Sequence, residues 1–240
     1  MTGDGGDGRD EHLPGPGEPW TPILLTRWSG EYLRSKGVEK GRLDAELLLA
    51  EVLGVRRLDL YLQHDRPLSP RELEDFKRLL RRRAAREPIQ YVLGKTAFRE
   101  LELRTDRRAL IPRPETEVLV GEVLSWAREP NALHGAASIE GSASSSGPHG
   151  LRALDVGTGS GAIALSLLLE GPFAGVVATD PSPLALALAR ENASRLGLLG
   201  RLELREGRLF DPLLQGSAST PSCPIPPTCR KGMARPCRKR

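Results

Sequence analysis

A glycine-spaced stretch at residues 151–169 constrains the fold of this chain more than any other feature. It reads LRALDVGTGSGAIALSLLL, which is a short apolar strand into Asp155, a turn and an apolar helix. Glycine allows a sharp turn and a close approach of the backbone to a ligand, and the helix that follows points free N–H groups at that ligand. A second apolar strand, residues 175–179, ends in Asp180, where doubly wound folds grip a ribose diol. The turn glycines are Gly157, Gly159 and Gly161.

Two cofactors fit this unit. Gly157, Gly159 and Ala162 satisfy the dinucleotide pattern G-x-G-x-x-G/A. Asp155, however, stands at the mouth of the turn, where a carboxylate repels a pyrophosphate and suits the cationic amino acid end of S-adenosylmethionine. The D-x-G-x-G-x-G form resembles motif I of the class I methyltransferases, and Asp180 resembles their ribose-binding acid. We therefore favour S-adenosylmethionine over NAD, and over a glycine turn without a ligand.

The charge of the chain does not indicate a nucleic-acid partner. The net charge is +4, but residues 216–240 hold six Lys or Arg and no acid, so the remainder carries 29 basic against 31 acidic side chains. All three cysteines lie in the same tail at spacings unlike those of zinc sites, and we expect no metal. The chain has no apolar run of membrane-spanning length and no signal or transit peptide, which predicts a cytoplasmic protein without a membrane.

Helical patterns fill the first third of the chain. One predicted helix ends at Gly37 and a second at Gly54, and a third begins at Ser69 with Pro70 and a capping box to Glu72. The third helix carries an arginine-rich face, which we expect to be solvated. The predicted divisions are a disordered N-terminus (1–21), a helical substrate-recognition domain (22–87), a connecting hairpin and PRPETE helix (88–130), a flexible insertion (131–150), the first half of a methyltransferase domain (151–215) and an aberrant basic tail (216–240).

The second half of the chain alternates strand and helix patterns. Residues 98–104 (FRELELR) alternate apolar and charged side chains, which predicts a strand or a hairpin arm. Strand, helix, strand, helix and strand then follow over residues 151–205, which is the start of a parallel α/β sheet.

Four segments together resemble the HemK/PrmC family, methyltransferases that modify the glutamine of the Gly-Gly-Gln motif in peptide chain release factors. They are REPIQYVLGKTAF, LIPRPETEVLV, DVGTGSGAIALSLL and ATDPSPLALALARENA. The resemblance runs from about Pro22 to Leu214. It implies an α/β fold of the class I S-adenosylmethionine-dependent type, with a Rossmann-like parallel sheet that is incomplete here and a small N-terminal helical domain. It also implies release factors as partners.

The resemblance assigns candidate site residues. Asp180 takes the ribose hydroxyls and Leu209 lines the adenine, although Arg208 stands where the family carries an acid. The residues implied to hold the rest of the cofactor are Asp155, Val156, Gly157, Thr158, Gly159, Ser160 and Gly161. The residues implied on the substrate side are Arg113, Pro114, Glu115 and Thr116. On physical grounds alone, this PRPETE segment is simply the entry to a helix, with proline in the first turn and acids near the positive end.

The family's catalytic signature, Asn-Pro-Pro-Tyr, is absent from the sequence. Residues 223–228 (CPIPPT) can be encoded by TGT CCA ATC CCC CCT ACG, and the same bases read two positions later begin Ser-Asn-Pro-Pro-Tyr. Our hypothesis is a frameshift near Gly216. Without the motif the chain is predicted to lack catalysis, and without a neighbouring fourth strand the strand at Leu151–Val156 is predicted to present an apolar edge.

Three functions remain open at this point. The first is a release factor glutamine methyltransferase that is inactive as the 240-residue chain. The second is an adenine-N6 nucleic-acid methyltransferase, because Asn-Pro-Pro-Tyr also serves those enzymes. The third is a non-catalytic fragment that binds S-adenosylmethionine. The PRPETE segment and the helical domain favour the first, for which we expect a monomer without direct nucleic-acid contact.

Overall fold

The computed structural model describes residues 18–129 and 150–214. The predictions of a disordered N-terminus, a flexible insertion at residues 131–150 and a basic tail at 216–240 fall largely or wholly outside these ranges, as does the hypothesis of a frameshift near Gly216. Among the described residues, no helix is long and apolar enough to cross a membrane.

The first part of the chain is a helical unit with its own core. The helices are α1 (Pro22–Ser35), α2 (Gly41–Leu53), α3 (Asp59–Leu62), α4 (Pro70–Ala84) and α5 (Ile89–Leu93). The three long helices confirm the predicted ones. Gly54 ends α2 in the left-handed conformation at φ 64°, and Gly37, at φ 79°, follows α1. Leu33, Leu48 and Phe76 are among the side chains buried between these helices.

The capping box predicted at the start of α4 is confirmed. Ser69 Oγ accepts from the Glu72 backbone N–H at 3.3 Å, and the Glu72 carboxylate accepts from the Ser69 N–H at 2.8 Å. The other carboxylate oxygen accepts from Arg66 Nη2 at 2.7 Å. The hydrogen bond from Arg66, followed by that from the Ser69 backbone, lowers the pKa of Glu72 to about 2.

This lowered pKa predicts an acid-dependent contribution to stability. Because the folded-state pKa lies below the unfolded value, the contribution is complete above about pH 4.5 and is lost as the pH falls toward 2. Glu72→Gln keeps a side chain that can close the capping box but removes the charge. We expect it to cost about 0.5–1 kcal/mol at pH 7. In urea titrations the difference from wild type should shrink at pH 3, and a difference that does not change with pH would contradict this role.

Two arginines on the basic face of α4 hold the helical unit together. Arg83 Nε donates to Asp44 of α2 at 2.7 Å, and the Arg83 side chain is largely buried. Arg82 donates to the backbone carbonyls of Tyr91 and Val92, at the end of α5, at 2.9 and 3.2 Å. The expectation of a solvated basic face is therefore wrong for Arg83, whereas Arg82 stays exposed while it makes these bonds. Carbonyl groups at a helix end need donors, and the Arg82 guanidinium supplies them at the end of α5.

A hairpin and a long helix connect the helical unit to the sheet. Strands β1 (Lys95–Phe98) and β2 (Leu101–Arg104) pair antiparallel, and helix α6 spans Pro114–Ala127. The predicted strand at residues 98–104 therefore contains the hairpin turn, and only its second half is one strand. Arg99, in the turn, has φ 51°, and its guanidinium binds Glu170 at 2.7 Å. This ion pair fastens the turn to the helix that ends at Glu170.

The remaining elements form the predicted parallel α/β unit. They are β3 (Leu151–Val156), α7 (Ala162–Glu170), β4 (Phe173–Asp180), α8 (Pro183–Arg195), β5 (Leu202–Glu206) and α9 (Asp211–Leu214). The described strands lie in the order β3-β4-β5, and both pairings are parallel. The carboxyl ends of these strands therefore share one edge of the sheet, where ligands bind in open α/β sheets.

The second core joins the hairpin, α6 and the sheet. Its largest fully buried side chains include Phe98, Leu103, Leu124 and Leu165. The connecting segment therefore packs with the sheet. Strand β3 is the end strand of the described sheet, and its apolar side chains Leu154 and Val156 stay 39% and 37% exposed.

Candidate cofactor site

The turn after β3 has the geometry that its glycines predict. Gly157, Gly159 and Gly161 have φ of 78°, 56° and 87°, a left-handed region that costs other residues about 1–2 kcal/mol each. The N–H groups of Gly157 and Thr158 donate to the Thr179 carbonyl at 2.8 and 2.9 Å, which ties the turn to β4. Apart from Gly157 itself and its two chain neighbours, no described residue has an atom within 4 Å of where a Cβ on Gly157 would stand. The turn therefore leaves room for a ligand to approach its backbone.

Asp155 lies beneath this turn. It is 5% exposed, and Oδ2 accepts from Thr158 Oγ1 at 2.7 Å and from the Ala164 N–H at 3.2 Å. Burial raises the pKa of Asp155, and the two hydrogen bonds oppose that rise. The carboxylate thus holds the turn against the first residues of α7. Its predicted contact with the amino acid end of the cofactor stays a prediction.

Asp180 links the turn to the start of the second helix. Oδ2 accepts from the Gly159 N–H and Oδ1 from the Ser182 N–H, both at 2.9 Å, and the residue is 8% exposed. The register pairs Val156 with Thr179, so Asp180 stands beside the beginning of the turn. A carboxylate has about four acceptor positions, and these two bonds leave capacity for the hydroxyls of a ribose.

Leu209 lies close to the same edge, beyond the end of β5. Its carbonyl accepts from Thr179 Oγ1 at 3.4 Å, and the Gly207 N–H donates to the Asp180 carbonyl at 3.1 Å. Leu209 and Phe210 are 67% and 57% exposed. This pair offers an apolar surface near Asp180, which fits the predicted contact with an adenine.

The four residues predicted on the substrate side lie at the start of α6. Arg113 is the N-cap, Pro114 is the first helical residue and Glu115 is in the first turn, so the helix-entry interpretation is confirmed. Arg113, Pro114 and Glu115 are exposed and Thr116 is half-buried. The segment before them reaches the glycine turn, because the Ala109 Cβ lies 3.8 Å from where a Cβ on Gly159 would stand. Contact of these residues with a substrate stays a prediction.

Sequence reasoning missed Ser182, although the signal for it was present. Its N–H donates to Asp180, and its Oγ caps α8 by accepting from the Ala185 N–H at 3.3 Å. Serine followed by proline is a typical helix start. Among residues 18–129 and 150–214, no group of three His, Cys, Asp or Glu could hold a metal. The cysteines lie outside those residues.

Two family models match the chain. The model described as the PrmC N-terminal domain matches residues 25–94, and the model described as a methyltransferase domain matches residues 153–219. The first corresponds to the helical unit and reaches the start of the hairpin. The second takes in the whole glycine turn and both strand-end acids.

Curated relatives align along most of the chain. The release factor glutamine methyltransferase of Geobacter sulfurreducens is 42% identical over 196 residues, which are 82% of this chain and 61% of that protein. The one of Chlorobaculum tepidum is 41% identical over 78% of this chain and 59% of its own length. The release factor glutamine methyltransferase of Rhodopirellula baltica is 36% identical over 87% of this chain and 66% of its own length. The chain thus spans about three fifths of the length of such relatives.

Solved structures give a more distant likeness. The N-terminal domain of human METTL16 in complex with SAH has a TM-score of 0.34 at 16% identity and covers 50% of this chain and 42% of that one. A second structure of that domain has a TM-score of 0.36 at 17% identity, covering 60% and 48%. This likeness is too low to describe the site.

Proposed function

Since the chain belongs to the HemK/PrmC family, we propose that it represents a methyltransferase of peptide chain release factors. The reaction transfers a methyl group from S-adenosylmethionine to the side-chain amide of the glutamine in the Gly-Gly-Gln motif. One observation carries the proposal: a PrmC-type helical domain is followed, in the same chain, by a class I methyltransferase fold. A nucleic-acid methyltransferase would not need that helical domain.

S-adenosylmethionine is the cofactor that this fold implies, and the described residues fit it. The left-handed turn Gly157–Gly161 can approach the methionine and ribose portions, Asp180 has acceptor capacity for the ribose hydroxyls, and Leu209 offers an apolar surface to the adenine. When bound, the cofactor supplies a methyl group on a sulfonium. The chain's own residues bind it and fix its orientation.

The reaction needs hydrogen-bond acceptors for the substrate amide, and the 240-residue sequence lacks the motif that supplies them in the family. A glutamine amide nitrogen is a poor nucleophile, because its lone pair is delocalised into the carbonyl. Acceptors that bind the NH₂ group would orient the nitrogen toward the methyl group and favour its more basic form. In the family these acceptors come from Asn-Pro-Pro-Tyr, which this sequence lacks. We propose that a frameshift near Gly216 removes the motif.

The substrate can be identified with the frame-restored protein. It is incubated with S-adenosylmethionine and, separately, with a release factor and with adenine-containing DNA. Peptide mass spectrometry should find one added methyl group on the Gly-Gly-Gln glutamine and none on adenine. Methylated DNA with unmodified release factor would establish the nucleic-acid alternative instead. Cofactor binding without transfer to either would establish the non-catalytic one.

The helical unit carries a surface that suits a protein partner, which supports its proposed role in substrate recognition. Trp20, Trp28 and Tyr32 line a cavity of about 610 Å³ between α1 and α4. The Trp28 and Tyr32 rings stack with centroids 5.5 Å apart, and Trp20 packs edge-on against Trp28 at 5.9 Å. Lys77 and Arg81 also line the cavity. Aromatic anchors with a charged rim are typical of protein-binding sites.

Trp28→Ala is expected to weaken binding of a release factor. Loss of a central aromatic anchor costs about 1–2 kcal/mol, or roughly 5- to 30-fold in Kd. Calorimetry with the 240-residue chain measures this effect. Trp126→Ala, on the 53% exposed face of α6, removes the same side chain elsewhere and should leave Kd unchanged. Equal losses in the two variants would argue against this surface.

The remaining partner and location assignments belong to the same proposal. We propose a monomer that acts in the cytoplasm and makes no direct contact with nucleic acid. The acidic balance of residues 1–215, with 29 basic against 31 acidic side chains, supports the absence of a nucleic-acid partner.

A further inference from the structure

Asn192 is a buried amide whose side chain joins two distant segments. It lies in α8 and is 1% exposed. Its Oδ1 accepts from the Arg104 N–H at 2.7 Å, and its Nδ2 donates to the Arg104 carbonyl at 3.1 Å and to the Ser160 carbonyl at 2.9 Å. One acceptor position and both donors of the amide are therefore used.

Each of the two partners is part of a segment near the candidate site. Ser160 belongs to the glycine turn. Arg104 is the last residue of β2, and the chain continues from it through residues 105–113 to the substrate-side helix α6. Asn192 binds both backbone groups of Arg104, as a neighbouring strand would. The same side chain thus binds the last residue of the hairpin, Arg104, and the Ser160 carbonyl of the glycine turn.

Further contacts hold residues 105–113 against the same elements. Arg108 donates to Glu191, the neighbour of Asn192, at 2.7 and 2.9 Å. The Ala109 carbonyl accepts from the Tyr91 hydroxyl at 2.9 Å, and the Ala109 Cβ approaches Gly159. Among residues 18–129 and 150–214, however, only Asn192 hydrogen-bonds both the turn and the strand from which this segment departs.

We propose that Asn192 is a positioning residue of the methyl-transfer site. It fixes the position of the glycine turn relative to residues 105–113, the segment that leads to α6. The inference rests on the proposed function. Because Asn192 Nδ2 binds the Ser160 carbonyl, the turn keeps its geometry before the cofactor binds. Such preorganisation lowers the cost of binding.

The geometry requires asparagine. Aspartate retains the acceptor for the Arg104 N–H, but it places a carboxylate oxygen against two carbonyl oxygens. Alanine leaves three backbone groups without their partner, two half-buried ones on Arg104 and a buried one on Ser160, and such groups are costly to leave unpaired. The variants Asn192→Asp and Asn192→Ala therefore test the same contacts in two ways.

The test separates positioning from general stability. The 240-residue chain and its variants are titrated with S-adenosylhomocysteine, each at the same interval below its own unfolding midpoint. Asn192→Asp and Asn192→Ala should raise Kd by about tenfold. The control is Val176→Ala, which truncates a buried side chain in the middle of β4. It should lower the unfolding midpoint and change Kd less than twofold. Equal Kd changes in these variants would overturn the proposal.

Amide hydrogen exchange tests the role of Asn192 in a second way, which needs no ligand. In both Asn192 variants, the amides of residues 157–161 should exchange about tenfold faster relative to those of β4. In Val176→Ala the two groups should change together. If the unsubstituted chain does not bind S-adenosylhomocysteine, the proposed cofactor function fails, and the exchange pattern still decides the role of Asn192. Uniform exchange in the Asn192 variants would reject that role.

Discussion

A protein with the reading frame restored behind about residue 216 is expected to methylate release factors, whereas the 240-residue chain should show no transfer above background. The difference should be at least about 10³-fold, because acceptors that orient the glutamine amide act only when they are in place. The glycine turn and Asp180 are common to both proteins. The 240-residue chain should therefore still bind S-adenosylhomocysteine.

The DNA must be read first, across the codons for residues 209–240 in all three frames. A second frame without Asn-Pro-Pro-Tyr, or with early stops, would sink the frameshift hypothesis. If the motif is there, the control is the restored protein with the motif asparagine replaced by alanine, which should fall back to background. Methyl transfer by the 240-residue chain alone would also contradict the hypothesis.

The restored segment should change stability as well as activity. Leu154 and Val156 of β3 stay more than a third exposed at the end of the described sheet, and an open apolar edge promotes aggregation. A strand that ends at the restored motif would cover this edge. We expect the restored protein to stay monodisperse in light scattering at concentrations at which the 240-residue chain aggregates.

Local signals in the sequence predicted much of the fold. Gly54, Ser69 with Glu72, and the apolar strands that lead to Asp155 and Asp180 each act through neighbouring residues, and the structure confirms them. The short helices α3 and α5, of four and five residues, are too short to show a helical apolar period and were not predicted. The hairpin turn was missed because Arg99 occupies a positive φ that glycine usually takes.

At the candidate site, the sequence predicted which residues lie at strand ends but not the contacts that their side chains make. The glycine spacing and Asp180 were found because each lies at a strand end, which periodicity locates. The side-chain direction of Asp155 was not available, since it depends on Thr158 and Ala164 folding over it. Asn192 gave no signal because its partners are backbone groups 88 and 32 residues away. Arg83 was misjudged because its partner Asp44 lies 39 residues away along the chain.

Replacement of Asp180 by alanine is expected to reduce cofactor affinity more than any other single change at the turn. We propose that the carboxylate accepts from both ribose hydroxyls, and hydrogen bonds to a charged group contribute about 1.5–3 kcal/mol each. The Gly159 and Ser182 N–H groups also lose their acceptor. Kd for S-adenosylhomocysteine should rise by at least about 150-fold, as measured by calorimetry.

Two further variants test whether the loss of affinity comes from the Asp180 carboxylate itself. Glu203→Ala removes an exposed carboxylate from β5, which pairs with Arg205, and should leave Kd unchanged. Asp180→Asn keeps the shape of the side chain, but its NH₂ group must face either the Gly159 or the Ser182 N–H, so it should bind weakly too. If Asp180→Ala retains the affinity of the unsubstituted chain, the ribose does not bind at the end of β4. The assignment of the cofactor to this turn would then be wrong, whatever the activity of the restored protein.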